Sequence, residues 1–243
     1  YESLEEKTKG VVEMLRSNPD YKGLMLTISE ALEKANKNTL LISVDNHKDS
    51  LAISRSVLDK VKNKVIIDHH RRSEEFISSP VLTYLEPSAS STVELLVELF
   101  DYQQHEIEIS SLDATIMYTG MLVDTNYFRQ HVGTRTFQSA AKLKEAQADL
   151  SLAYELLEDS FECMKEIFDI TESAYRYKDK FLIATGKDEE LSRCTLAKAA
   201  NQLVYVSGIY AAFAIGYISK NTVAISARSS KKVNVQMIME NDA

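Results

Sequence analysis

Three aspartates follow apolar segments of the chain at the points where those segments end. Asp45 follows LLISV, Asp68 follows KVII and Asp124 follows GMLV. Because ligands bind at the carboxyl ends of strands in open parallel sheets, we expect these carboxylates to converge on one edge. Carboxylates brought close together repel each other unless cations lie between them. The positions of the three acids therefore indicate a site for divalent metal ions.

Histidines accompany two of these aspartates. His69 and His70 come directly after Asp68, and His47 lies two residues beyond Asp45. A set of carboxylates and imidazoles favours Mn, Mg, Fe or Zn over metals that prefer thiolates. Two such ions could activate water and neutralise charge on a phosphoryl oxygen. Any one of the acids could equally be a turn or capping residue. For His47, we expect a solvated loop position rather than a ligand.

The elements that must position these residues have the pattern of an α/β fold. LLISV and KVII are too short for helices and too uniformly apolar for half-exposed strands, so they predict a parallel sheet covered on both faces. Helices are predicted over residues 51–61, 91–100 and 113–123, the second with capping-box spacing between Ser91 and Glu94. The third is apolar enough for either a core or a dimer interface.

The second half of the chain has a different pattern. Residues 137 to about 180 are almost entirely helical in character, and FLIAT then begins a region with one further helix around CTLAKAANQLV. Three more strands are predicted at GIYAAFAIGYI, TVAISA and KVNVQMI. We therefore predict two domains, residues 1–178 with the helical connector and residues 179–243.

Composition excludes several classes of protein. The 28 basic and 36 acidic residues give a net charge of -8, which argues against a protein that coats duplex nucleic acid. The two cysteines, Cys163 and Cys194, lack the spacing of a zinc site and suit free thiols in a reducing compartment. No apolar run reaches the roughly 18 to 20 residues that cross a bilayer, so we expect this segment to be soluble.

The motifs occur together, and in the same order, in one known family. VIIDHHRR, with SVDNH before it and GMLVDTNYF after it, resembles the DHH phosphoesterase superfamily, and EPSASSTVELL extends the likeness. The segment AISARSSKKVNVQMIME resembles the start of the associated DHHA1 domain. Within the superfamily, the chain is most similar to the catalytic module of GdpP-type cyclic di-AMP phosphodiesterases.

The resemblance implies a parallel-sheet DHH domain with flanking helices, joined by a helical connector to a smaller α/β DHHA1 domain. It also implies two Mn²⁺ ions, with Mg²⁺ or another divalent ion as alternatives. The implied metal ligands are Asp45, Asp68, His69 and Asp124, with Asp45 bridging the ions and Asp68 supporting the site from close by. His70 and Asp68 are the implied catalytic residues, and His70 would face the scissile phosphate.

Five further residues are candidates for substrate contact: Arg71, Arg72, Ser90, Ser91 and Arg228. The two adjacent arginines could bind phosphate bidentately or be ordinary surface residues. The two serines precede a helix, where capping is favoured over a phosphate cradle. The resemblance to DHHA1 implies a nucleotide contact for Arg228, which would otherwise be an ordinary turn residue just beyond a strand.

One motif of the family has no counterpart in this sequence. DHH enzymes carry an early strand that ends in H-x-N-P-D-x-D, whereas RSNPDYKG has Arg16 and Lys22 in place of the histidine and the last aspartate. The segment also follows a helical pattern, so it predicts a turn after a helix. A glycine-rich G-G-G-G-H stretch is absent as well.

The predicted function is a hydrolase, a metal-dependent phosphodiesterase that converts cyclic di-AMP, a second messenger, into linear pApA. Two alternatives stay open: a DHH nuclease or phosphatase acting on short oligonucleotides or pAp, and a nucleotide-binding module with impaired catalysis. Family likeness also implies a cytoplasmic module of a membrane-anchored parent, with no membrane contact of its own and with dimerisation as an option.

Overall fold

The computed structural model describes residues 6–102, 108–187, 190–230 and 233–242. The chain forms two compact units, Tyr1–Glu158 and Asp159–Ala243. This division falls earlier than the boundary predicted near residue 178. The reason is that the helix Phe161–Glu172 packs against elements of the second unit.

The sheet of the first unit has three strands, β1 (Leu40–Val44), β2 (Asn63–Asp68) and β3 (Leu82–Leu85), in the order β1-β2-β3. Both pairings are parallel. The carboxyl ends of all three strands therefore meet at one edge of the sheet, as the sequence predicted. The mixed α/β class is confirmed.

Burial differs between the two apolar strands on which the prediction rested. In β2, the central strand, Ile66 and Ile67 are buried. In β1, at the edge, Leu40, Ile42 and Val44 are each about half exposed, at 51%, 52% and 49%. The expectation that both faces of the sheet are covered holds for β2 and is wrong for β1 among the described residues. Leu40, Ile42 and Val44 alternate along β1 and therefore share one face of the strand, and this face is not covered among the described residues.

Helices surround this sheet and precede or follow each strand. Their bounds are α1 Glu6–Ser17, α2 Ile28–Lys34, α3 Arg55–Lys60, α4 Thr92–Asp101, α5 Ser111–Asp124, α6 Thr134–Glu145 and α7 Leu150–Glu155. The predicted helix over 51–61 is shorter than expected, because Ser54 caps it late. The RSNPDYKG segment is a turn after α1, as predicted, with Asn18 capping a single 3₁₀ turn.

The α5 helix lies in the core of the first unit. Ala114, Met121 and Leu122 are fully buried and cluster with Val97 of α4 and Leu143 of α6. The core alternative for this apolar helix is therefore the one that the structure supports.

The second unit combines a four-stranded sheet with three helices: α8 Phe161–Glu172, β4 Tyr175–Tyr177, β5 Phe181–Thr185, α9 Arg193–Val204, β6 Ala211–Ser219, β7 Thr222–Ser229 and α10 Val235–Asp242. The strand order is β4-β5-β6-β7, with β5 and β6 parallel and the outer pairs antiparallel. Leu196, Ala199 and Ala212 lie in its core.

Two predictions fail in this unit. The short strand β4 lies inside the stretch that was predicted to be helical. KVNVQMI was predicted as a strand, but its last four residues, 235–238, begin α10, while its first residue, Lys232, lies outside the described residues. The Asn234 side chain accepts a hydrogen bond from the Met237 N–H at 3.3 Å, as a helix cap does. Among the described residues, no helix is both long and apolar enough to cross a membrane.

Candidate metal centre

Asp45 leaves β1 in a strained backbone conformation that brings its carboxylate to the edge of the sheet. Its φ angle is 60°, a left-handed value that aspartate tolerates better than most residues. Its N–H donates to the Ile67 carbonyl at 2.9 Å, and the Thr92 hydroxyl donates to Asp45 Oδ1 at 2.7 Å. Non-glycine residues held in this region cluster at functional sites. The carboxylate is thus fixed in place while its side chain stays half exposed.

His69 directs one ring nitrogen at two carboxylates. Its Nδ1 lies 3.3 Å from the Ala89 carbonyl oxygen, which can only accept, so Nδ1 carries a hydrogen. The other ring nitrogen, Nε2, lies 3.5 Å from Asp45 Oδ1 and 4.0 Å from Asp124 Oδ2. Both distances are too long for hydrogen bonds. A histidine that ligates a metal typically donates its second N–H to a carbonyl in this way.

The donor atoms lie close enough together to bind one cation in common. One atom each from Asp45, His69 and His70 falls within 4.8 Å of the others. The carboxylates of Asp45 and Asp124, brought together at this site, repel each other unless positive charge lies between them. Oxygen and imidazole nitrogen donors suit Mn, Mg, Fe or Zn. The residues therefore fit a divalent metal ion.

The close approach of these charged groups affects the pKa of Asp124, the last residue of α5. Burial, as the larger cause, and the negative charge of Asp45 together raise the pKa of its carboxyl from 3.8 to about 6, against the opposing effect of His69 and His70. Its ionised form is therefore disfavoured in the metal-free protein. A cation at the site would remove this penalty.

Asp68 lies behind the site rather than in it. The residue is fully buried, and its Oδ1 accepts hydrogen bonds from the backbone N–H of His70 at 3.0 Å and from His70 Nδ1 at 2.7 Å. Burial acts to raise the pKa of Asp68, but these bonds and one from His47 outweigh it and lower the pKa below its ordinary value. The arrangement fits the supporting role expected of Asp68. Its direct ligation of metal stays a prediction.

The prediction that His47 is a solvated loop residue is wrong. Its side chain is only 1% exposed, and its Nδ1 lies 2.5 Å from Asp68 Oδ2. The spacing of two residues after Asp45 was visible in the sequence. The sequence does not show the pairing with Asp68, because this pairing depends on how the loop after β1 folds against the end of β2.

Comparison with known proteins gives this site a family. Residues 3–121 match the DHH family, N-terminal domain. This part of the chain therefore belongs to the DHH family. It is 40% identical to the cyclic-di-AMP phosphodiesterase PdeA of Listeria monocytogenes, over 95% of this chain and 37% of that protein. It is also 40% identical to the cyclic-di-AMP phosphodiesterase GdpP of Bacillus subtilis, over 88% of this chain and 33% of that protein. The chain thus spans about a third of the length of these relatives.

A solved structure shares the fold. The exopolyphosphatase-related protein from Bacteroides fragilis superposes with a TM-score of 0.77 at 19% identity, covering 88% of this chain and 65% of that one. This likeness concerns the fold alone, and it agrees with the α/β architecture of the DHH chain.

The predicted substrate-binding residues of the DHH chain occupy different settings. Arg71 is exposed, and the Arg72 guanidinium lies over the Phe76 ring at 4.9 Å. Ser90 and Ser91 are buried, and the Ser91 hydroxyl caps α4, which bears out the capping alternative. Arg228 is in the second unit, exposed, and within β7 rather than beyond it. Contact of these residues with substrate stays a prediction.

Sequence reasoning missed two residues that shape the DHH site. Thr92 donates a hydrogen bond directly to Asp45, and nothing in the sequence indicates this contact. Glu94 is 2% exposed and accepts hydrogen bonds from the Ser90 hydroxyl at 2.7 Å and the Thr136 hydroxyl at 2.9 Å. The capping-box spacing identified Glu94 but gave no sign that it would anchor the loop before α4 from inside the protein.

Proposed function

We propose that this chain is the catalytic part of a metal-dependent phosphodiesterase that hydrolyses cyclic di-AMP to linear pApA. One observation carries the proposal: Asp45, His69 and Asp124 converge in a chain 40% identical to cyclic-di-AMP phosphodiesterases over most of its length. The convergence supports phosphoryl chemistry, and the similarity supports the choice of substrate.

We propose that the site holds two Mn²⁺ ions. Asp45 is the candidate bridge between them, because its carboxylate is both exposed and close to two histidines. His69 and Asp124 are the candidate ligands of one ion. When bound, such ions supply Lewis acidity and offset the negative charge that develops on phosphoryl oxygens. Metal replacement followed by activity measurement distinguishes Mn²⁺ from Mg²⁺.

His70 is the residue proposed to meet the scissile phosphate. Its Nδ1 is engaged by Asp68, and its side chain is 55% exposed, so Nε2 is the ring nitrogen available to a ligand. In hydrolysis, a water oxygen bonds to phosphorus and the bond to the ribose 3′ oxygen breaks. Protonated His70 could hydrogen-bond a phosphate oxygen or donate a proton to the leaving oxygen.

The remaining candidates are proposed to bind the nucleotide. Arg71 and Arg72 lie beside His70 in the chain and offer guanidinium groups to phosphate. Ser90 and Ser91 lie directly before α4, whose first residue, Thr92, donates a hydrogen bond to Asp45. The N-terminus of this helix is therefore a candidate site for a phosphate group. Arg228 is a proposed contact to the nucleotide from the DHHA1-like unit.

The test compares two substrates. The complete gene product, assayed with Mn²⁺, should hydrolyse cyclic di-AMP faster than a linear dinucleotide. His69→Gln should lower this activity by at least about 100-fold, because it removes a metal ligand, whereas His131→Gln, at an exposed position, should leave it unchanged. Full activity of the His69 variant would rule out the assigned centre.

Other outcomes identify the alternatives. Faster turnover of the linear dinucleotide or of pAp would make the protein a DHH nuclease or phosphatase. Tight binding of cyclic di-AMP without turnover would make it a nucleotide-binding module with impaired catalysis.

We also propose that the module lies in the cytoplasm as part of a membrane-anchored protein. The resemblance to GdpP-type enzymes supports this, and the relatives are long enough to contain further domains. Membrane fractionation of the complete gene product, followed by protease protection, tests the proposal.

A further inference from the structure

His47 is a buried polar residue that the proposed chemistry leaves without a role. Its ring is 1% exposed and packs on the Phe76 ring, with 5.2 Å between the centroids. Its backbone carbonyl accepts a hydrogen bond from the Ile77 N–H at 2.8 Å. A buried imidazole requires hydrogen-bond partners for both of its nitrogens. The identity of those partners determines which nitrogen carries the hydrogen.

Two contacts fix the protonation of the His47 ring. Nδ1 lies 2.5 Å from Asp68 Oδ2, and a carboxylate oxygen only accepts, so Nδ1 carries a hydrogen. The backbone N–H of Ser73 donates to Nε2 at 3.3 Å, which requires a lone pair there. The Ser73 hydroxyl, 3.2 Å from Nε2, donates its own proton to the Glu75 carbonyl at 2.6 Å. His47 therefore donates from Nδ1 to Asp68, and its Nε2 faces Ser73.

Asp68 connects this ring to His70. Its Oδ2 accepts from His47, while its Oδ1 accepts from the backbone N–H and Nδ1 of His70. In the described part of the chain, His47 is the one donor that reaches Oδ2. Ser73, His47, Asp68 and His70 thus form a continuous hydrogen-bonded chain that runs from a surface loop to the exposed His70 ring. Each member fixes the orientation of the next.

We infer that His47 is a positioning residue that acts through Asp68 to hold His70 with Nε2 directed to the substrate. The inference rests on the proposed function, in that His70 is taken to meet the scissile phosphate. Removal of His47 would leave a buried carboxylate oxygen without a donor, which is costly enough to make Asp68 rotate or bind a proton. Either change would release His70. Among the described contacts of His47, none is to Asp45, His69 or Asp124, so metal binding should persist.

Two variants separate positioning from packing. His47→Leu keeps similar bulk without a donor, whereas His47→Asn keeps an N–H near the position of Nδ1. In the complete gene product with Mn²⁺ and cyclic di-AMP, we expect the leucine variant to lose about 10- to 100-fold in kcat. KM and the Mn²⁺ dissociation constant should stay within about twofold. The asparagine variant should recover most of the loss. Equal effects of the two variants, or a parallel loss of metal affinity, would overturn the inference.

A double-mutant cycle tests whether His47 acts through His70. With His70→Ala already present, His47→Leu should cause no further loss of kcat, because the residue that it positions is gone. Additive losses would show that His47 acts by another route.

A spectroscopic readout is independent of activity. In the metal-free protein, imidazole ¹⁵N spectra should show a hydrogen on Nδ1 of His47, and His47→Leu should shift the ¹⁵N resonances of the His70 ring. An Nδ1 of His47 without a hydrogen, or His70 resonances that do not respond, would refute the inference. If the wild-type protein shows the expected shifts but does not cleave cyclic di-AMP, the proposed function fails and the hydrogen-bonded chain stands.

Discussion

The charges of individual residues define the site. Asp45 and Asp124 direct carboxylates toward Nε2 of His69, at 3.5 Å and 4.0 Å. The Thr92 hydroxyl donates to Asp45, and the Ala89 carbonyl accepts from His69, so the neighbouring residues fix the orientation of these side chains. The two carboxylates are thereby held close to each other. Such an arrangement is costly in the free protein and favourable around a cation.

Asp124→Asn tests this balance directly. The substitution removes a metal ligand and the repulsion that raises the pKa of Asp124 to about 6. Mn²⁺ affinity should fall at least about tenfold. Thermal stability of the metal-free protein should stay level or rise, since the ionised carboxylate is disfavoured by on the order of 1–3 kcal/mol. Calorimetric titration and thermal melting measure both, with Asp169→Asn, at an exposed ion pair of the second unit, as control. Equal losses in affinity and stability would instead mark Asp124 as a structural residue.

The raised pKa of Asp124 also predicts a pH dependence. The folded pKa of about 6 exceeds the ordinary value of 3.8, so the metal-free protein binds a proton at Asp124 as the pH falls through 6. Below that pH, Mn²⁺ must displace this proton, and this residue alone should weaken apparent affinity by up to about tenfold per pH unit. For the same reason, the repulsion destabilises the metal-free protein above pH 6 and is relieved toward pH 4.

Titrations of Mn²⁺ at several pH values between 5 and 8 measure the effect. In Asp124→Asn, the dependence in this window should be shallower. An unchanged slope in that variant would assign the pH dependence to other groups.

At the scale of elements, the N-terminus of α4 links the sheet to the site. Thr92, in the first turn of α4, is 4% exposed and donates to Asp45 at 2.7 Å. Glu94, one turn into the same helix, holds the Ser90 loop from within. The helix therefore sets the position of a carboxylate that belongs to a different element, β1.

Thr92→Val keeps the shape of the side chain and deletes the hydroxyl. Because Asp45 would lose a donor that fixes its orientation, Mn²⁺ affinity should fall about tenfold with little change in unfolding temperature. The matched control is Thr134→Val, an exposed residue in the first turn of α6, which should leave affinity unchanged. If both threonine variants bind Mn²⁺ like the wild type, the bond to Asp45 has no role in metal binding.

Arg135 joins α4 to α6 through two hydrogen bonds of 2.7 Å to the carboxylate of Glu98. The bidentate geometry and the nearby buried Glu94, at 3.6 Å, make this pair stronger than an ordinary surface ion pair. Arg135→Gln should therefore lower the free energy of unfolding by about 1–2 kcal/mol in urea titrations. Arg55→Gln, which breaks an exposed pair with Asp49, should cost less than about 0.5 kcal/mol. A similar cost for both variants would contradict the distinction.

The sequence predicted well those elements in which the spacing of apolar residues matches their burial in the structure. The β2 strand and α5 are buried as their apolar patterns indicate. KVNVQMI failed because Val235 and Ile238 also have the three-residue spacing of a helix face, and Asn234 caps that helix. The prediction for β1 failed in burial because its sequence does not specify whether another layer covers each face of the strand.

At the scale of the whole molecule, the site is formed by residues that lie far apart in the sequence. Asp45, His69 and Asp124 were placed together by the rule that parallel strands end at one edge, and the structure brings them together. His47 escaped the same reasoning, because its partner Asp68 is reached only through the folding of two loops. The division into two units was anticipated, but its position depended on the packing of α8, which the sequence does not specify.

The most direct test of the account is manganese anomalous diffraction from crystals of the complete gene product grown with Mn²⁺. We predict a strong anomalous peak between Asp45, His69 and Asp124, within about 2.0–2.3 Å of their donor atoms. The His47 side chain should lie behind it without contacting the ion. A site that stays empty at saturating Mn²⁺, or a peak held by other residues, would contradict the account.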